Sequence, residues 1–85
     1  MDIIKTFNDR HPNFYWLDKD TFCLYFDGGI DKYRDEYNYL VEYHKDEDRF
    51  VFVKLYEYDN MPANFTAEEM NYITDRIKEK LKEGG

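Results

Sequence analysis

The chain has 85 residues, and its nineteen Asp and Glu outnumber twelve Lys and Arg to leave a formal charge of −7. That length holds one small domain, residues 1–85, and that charge excludes a phosphate-tracking nucleic-acid binder, which needs clustered Lys and Arg. An aromatic content of 20% excludes a disordered chain, a single cysteine excludes an intramolecular disulfide framework, and no apolar run approaches the roughly 20 residues of a membrane span.

The opening residues, Met1-Asp2-Ile3-Ile4-Lys5, lack the apolar core of a secretory signal. With Cys23 as the lone thiol, the expected address is a reducing cytoplasm, that of the host if the chain is phage-encoded. Ile3, Ile4 and Phe7 share a helical face, and His11-Pro12 stops the pattern, so residues 2–9 predict a short helix.

Two aromatic, β-favouring runs follow, Phe14-Tyr15-Trp16-Leu17 and then residues 21–26, on either side of the polar Asp18-Lys19-Asp20. They predict a β-hairpin ended by the turn chemistry of Asp27-Gly28-Gly29. Residues 28–36 then read as a loop. A second hairpin is expected from residues 37–44 and 50–58 around the charged turn at 45–49, with 59–64 breaking the strand. Thr66-Ala67-Glu68-Glu69 has capping-box form, and Met70, Ile73, Ile77 and Leu81 make one stripe. Glu68 and Glu69 at the start and Lys78, Lys80 and Lys82 at the end complement the macrodipole, with Gly84 as a stop. Residues 66–83 predict a long helix. The expected fold is therefore α+β: a four-stranded antiparallel sheet of two hairpins with a short N-terminal and a long C-terminal helix, in the order α-β-β-β-β-α.

Alternation along strands makes a sharper expectation. If the turn closes the second hairpin tightly, His44 faces Arg49, Glu42 faces Val51 and Leu40 faces Val53. Leu40, Val51, Val53 and Leu55 then share one face, and Tyr39, Val41, Tyr43, Phe50, Phe52 and Tyr56 share the other. In the first hairpin, Tyr15, Leu17, Phe22, Leu24 and Phe26 group together, opposed by Phe14, Trp16, Cys23 and Tyr25. The aliphatic face suits the stripe of the C-terminal helix. The aromatic face is then either covered by the N-terminal helix or the 28–36 loop, or left partly exposed as a dimer or partner interface.

The sequence holds no nucleophile elbow, no phosphate-cradling glycine loop and no HExxH. Cys23 reads as a packed thiol, and His11 and His44 as surface or capping residues. The carboxylate groups Asp18/Asp20, Asp31/Asp35/Glu36 and Asp46/Glu47/Asp48 lack the ligand spacing of a calcium loop and read as solvated turn charge. Four short strands leave little room for the cleft that paired carboxylates would need in glycoside chemistry. Neither catalysis nor a metal or cofactor is expected.

Acidic residues recur from Asp27 to Asp59, mostly in loops and strand ends. Such a field either keeps a protein soluble or attracts basic surfaces, including those of nucleic-acid-binding proteins, where carboxylates can stand in for phosphates. The expected function is thus a small acidic binding protein that inhibits or regulates a basic partner, such as a nuclease or another nucleic-acid-binding protein. Neither nucleic acid nor membrane would be touched directly. Asp31, Asp35, Glu36, Asp46, Glu47 and Asp48 would supply charge, and Tyr33, Tyr37 and Tyr39 aromatic anchors. The alternative is a structural homodimer packed through aromatic sheet faces. In size, charge and element order the chain resembles small phage-encoded inhibitors, including some anti-CRISPR proteins and glycosylase inhibitors, and small acidic immunity proteins that neutralise basic nuclease toxins. No motif carries this likeness, and no functional residue is transferred from it.

Overall fold

The computed structural model describes residues 3–83. The expected helix start at Asp2 and the expected stop at Gly84 lie outside them.

Helix α1 (Ile3–Asp9) buries Ile3 and Phe7, which lie one turn apart on the same face. It ends before His11, whose φ of 51° reverses the chain just ahead of Pro12. Strands β1 (Asn13–Trp16), β2 (Thr21–Ile30), β3 (Glu36–His44), β4 (Arg49–Tyr56) and β5 (Asn60–Pro62) follow, and helix α2 (Ala67–Lys82) closes the chain. The strands form one antiparallel meander in the order β1-β2-β3-β4-β5. The sheet therefore has five strands rather than four.

Two departures from the sequence expectation account for the extra pairing. Residues 59–64 do not simply break the strand. The Tyr56 amide donates to the Asp59 carbonyl at 2.8 Å, and the chain turns back so that Asn60, Met61 and Pro62 pair with Leu55, Lys54 and Val53. Pro62 is tolerated because β5 is an edge strand and a missing amide can face outward there. Asp27-Gly28-Gly29 likewise does not end β2. The register shifts between Asp27 and Gly29, a bulge that Gly29 accommodates with φ +100°, and pairing resumes with Gly29 opposite Tyr37 and Ile30 opposite Glu36. The predicted 28–36 loop shrinks to residues 31–35.

The second hairpin has the expected register, with His44 opposite Arg49, Glu42 opposite Val51 and Leu40 opposite Val53. The first is shifted by one residue from expectation: Trp16 lies opposite Phe22 and Phe14 opposite Leu24. Phe14 and Trp16 therefore share the face of Phe22, Leu24 and Phe26, whereas Tyr15 shares that of Cys23 and Tyr25.

The larger correction concerns which face is covered. Leu24 pairs with Val41 and Phe26 with Tyr39, so the aromatic face is continuous across β2, β3 and β4. Both helices lie on it. The ring of Phe7 meets Phe26 edge-on at 5.4 Å, Phe65 meets Tyr39 at 4.9 Å and Phe52 at 5.4 Å, and Ile73 and Ile77 are fully buried against the same cluster. The stripe of α2 thus packs on the aromatic face and not on the aliphatic one. Each buried aromatic ring removes more apolar area from water than a valine, so this orientation has the larger driving force. The capping box of α2 forms as its sequence indicates, with the Glu69 amide donating to the Thr66 hydroxyl at 3.1 Å and the Thr66 amide to the Glu69 carboxylate at 2.8 Å.

Candidate interaction surface

With both helices on the aromatic side, no helix among the described residues lies over the opposite face of the sheet. Tyr25 of β2, Leu40 of β3, and Val51, Val53 and Leu55 of β4 sit there half-buried, and Tyr15 of β1 is 40% exposed. Cys23 lies in the same rows between Tyr15 and Glu42 but is itself buried. Burial, then the charge of Glu42, pushes its thiol pKa up, which keeps it protonated and unreactive. His44 Nε2 meets Glu42 Oε1 at 3.2 Å on this face.

The acidic residues named from sequence flank this surface in two separate groups. β3 spans nine residues between them, so the groups stand about 27 Å apart. No single site contains both.

Asp46, Glu47 and Asp48 form the β3–β4 turn. Glu47 pairs with Arg49 at 2.9 Å, which lowers its carboxyl pKa, and Asp48 accepts the Tyr43 hydroxyl at 2.8 Å. Asp48 also adopts φ +48°, a left-handed conformation that Asp tolerates better than most residues. The Lys45 amide donates to the Asp20 carbonyl at 2.8 Å, so this turn stands beside the β1–β2 turn with its own Asp18 and Asp20.

Asp31, Asp35 and Glu36 belong to the opposite pole, in and after the β2–β3 turn. Asp31 organises that turn: its Oδ1 accepts from the amides of Tyr33 at 2.8 Å and Asp35 at 2.9 Å, and these bonds, the Asp35 one foremost, hold its carboxyl below the usual aspartate range. Its role is local, as a turn former. Asp35 and Glu36 point to a groove of about 770 Å³ at this end of the open face. Tyr33 is 73% exposed and available as an anchor. Tyr37 and Tyr39 are not, being 3% and 6% exposed with their rings packed edge-on at 5.4 Å inside the core. Alternation places them on the covered face, so they leave the set of surface anchors.

Sequence reasoning passed over the other residues of this groove. Tyr25 and Leu55 contribute from the sheet, Ile30 from the end of β2, and Glu57, Tyr58 and Asp59 from the β4–β5 turn. The signal was present in the order Glu57-Tyr58-Asp59-Asn60, but a strand predicted to run through residue 58 absorbed it. Among the described residues, no group of three His, Cys, Asp or Glu side chains converges as a metal site, and no helix is long and apolar enough to cross a membrane. Compared with known proteins, the chain matches no family model, no curated protein and no solved structure.

Proposed function

We propose that this chain is a small acidic binding protein that inhibits or regulates a basic protein partner, and that it has no catalysis of its own. The observation that carries the reading is the helix-free sheet face, an apolar strip between two carboxylate-rich poles. Apolar area excludes water at the centre of an interface, while charge at its ends speeds and orients the encounter. Partners with a matching basic surface are foremost those that handle nucleic acid, since such surfaces exist to meet phosphates. Poles about 27 Å apart fit an extended basic groove better than a small basic patch. The site of action would be the cytoplasm.

The two helices cover the centre of the aromatic face, so a homodimer through it would have only the β1 edge to use, where Trp16 is 39% exposed. Stacking two copies on the open face would bring two chains of charge −7 together, which their mutual repulsion opposes.

Affinity capture from the native host, followed by mass spectrometry, tests the reading when run with two variants. Val53→Glu places a charge in the middle of the open face, and the triple change Asp46→Lys, Glu47→Lys, Asp48→Lys reverses one pole. The wild-type chain should retrieve a basic nucleic-acid-binding protein. Val53→Glu should weaken that complex at least about tenfold, and the triple change should slow association and flatten its salt dependence. Retrieval of no basic protein, or a complex indifferent to both variants, sinks the reading.

A further inference from the structure

The groove between the β2–β3 and β4–β5 turns has features that generic acidity does not require. Its floor combines Tyr25 and Leu55 with Asn38, which lies opposite Leu55 on the open face, and Ile30 forms one wall. Ile30 is 60% exposed and Tyr58 91% exposed, so both carry apolar surface that the fold does not use. Four carboxylates line the same groove, those of Asp35, Glu36, Glu57 and Asp59, against the single cation Arg34. Among the described residues none of these four is in a salt bridge, a state they share with Asp18, Asp20, Asp46 and Asp48, while Asp9, Asp27, Glu47 and Glu79 are paired; Asp59 Oδ1 accepts the Asn60 amide at 2.9 Å. The groove thus combines unpaired negative charge, an exposed aromatic ring and a partly desolvated floor.

We propose that this groove receives an arginine side chain from the basic partner. A guanidinium is planar and weakly hydrated; it can stack on the Tyr58 ring while its forked N–H groups meet two carboxylates. A lysine ammonium is a compact, strongly hydrated charge and gains less from the apolar surface of Ile30 and Leu55 and from a ring face. The inference rests on the proposed function for the source of the arginine, but its test does not need the partner.

The probe is a short arginine-bearing peptide with blocked ends, titrated into isotope-labelled protein and followed by backbone amide NMR shifts. Shifts should concentrate at Ile30, Glu36, Leu55 and Tyr58. The double change Glu36→Gln, Glu57→Gln should raise the dissociation constant about tenfold and Tyr58→Ala about threefold. Tyr58 is so exposed that its removal leaves the fold intact, which a spectrum unchanged outside the turn would verify. Equal affinity for the matched lysine peptide, shifts centred on the 45–48 turn, or no binding would each overturn the inference. If the peptide fails while Val53→Glu still disrupts partner capture, only the arginine groove is lost. If the peptide binds and no basic partner is captured, the proposed function fails instead.

Discussion

The ring of Tyr37 lies directly on the backbone of Gly28, so that a Cβ at Gly28 would overlap its Cδ2 and Cε2 atoms. This approach lets β2 bulge without lifting the aromatic face away from the helices. Gly28 is therefore required for space, whereas its neighbour Gly29 is required for its positive φ.

Gly28→Ala is expected to destabilise the fold by about 1–3 kcal/mol, because a buried ring must move to admit the methyl group. Urea denaturation checks this. A second change, Tyr37→Leu in the same chain, should return part of the loss by vacating the overlapped space. If Gly28→Ala alone shifts the midpoint by less than experimental error, the close approach is not a constraint.

The assignment of covered and open faces predicts opposite fates for two adjacent residues. Phe52 packs on Phe65 over the core, while Val53 faces away from both helices. Phe52 is half-buried, so Phe52→Glu should cost about 2–4 kcal/mol through lost packing on Phe65 and partial desolvation of the carboxylate, and should strongly destabilise the chain. Val53→Glu should cost only about 1–2 kcal/mol and remain folded by circular dichroism. The reverse outcome would place the helices on the other side of the sheet.

Removal of the α2 cap is a smaller perturbation. Thr66→Ala deletes the acceptor for the Glu69 amide and is expected to cost about 1 kcal/mol in thermal or urea unfolding. Thr66→Ser retains the hydroxyl and should stay within a few tenths of wild type. A loss shared equally by both variants would point to the threonine methyl rather than to the cap.

Acid should weaken the fold through its turns. The pKa of Asp18 is lowered chiefly by the Asp20 amide, that of Asp31 by the Asp35 amide and that of Glu47 by Arg49. Each group has a lower pKa in the folded chain than in the unfolded one, so the folded chain binds fewer protons. The stabilisation is complete above the unfolded carboxylate values and is lost as pH falls through the lower folded ones, which places the decline below about pH 4. Asp31→Asn keeps an Oδ1 that can accept both turn hydrogen bonds but cannot titrate. Its urea midpoint should fall less steeply with acid than that of wild type. An identical slope would show that Asp31 carries none of the effect.

Much of the local architecture was legible in the residues. Thr66 and Glu69 stand three apart before an apolar stripe, and the capping box is where that spacing puts it. The register of Leu40 opposite Val53 followed from alternation and the length of one charged turn. The register of Phe14 opposite Leu24 did not follow, because the first turn allows a neighbouring closure that differs by one residue and exchanges the two faces. β5 escaped notice because three residues including a proline have no pattern of their own; pairing with β4 alone makes them a strand.

The candidate surface shows the same division. Sequence determined that the chain is acidic, aromatic and β-rich, and it identified Asp35, Glu36 and Tyr33 as exposed turn residues. Tertiary structure decided that Tyr37 and Tyr39 are interior, that Asp31 is committed to its own turn, and that the acids at 46–48 lie a full strand length from those at 35 and 36. It also brought Glu57, Tyr58 and Asp59 alongside Glu36 across the end of the sheet. Caps, turns and alternation depend on neighbouring residues, and neighbours can be read in order. The side of a sheet that helices cover depends on the difference in apolar area between two complete faces, a quantity that exists only after distant strands have paired.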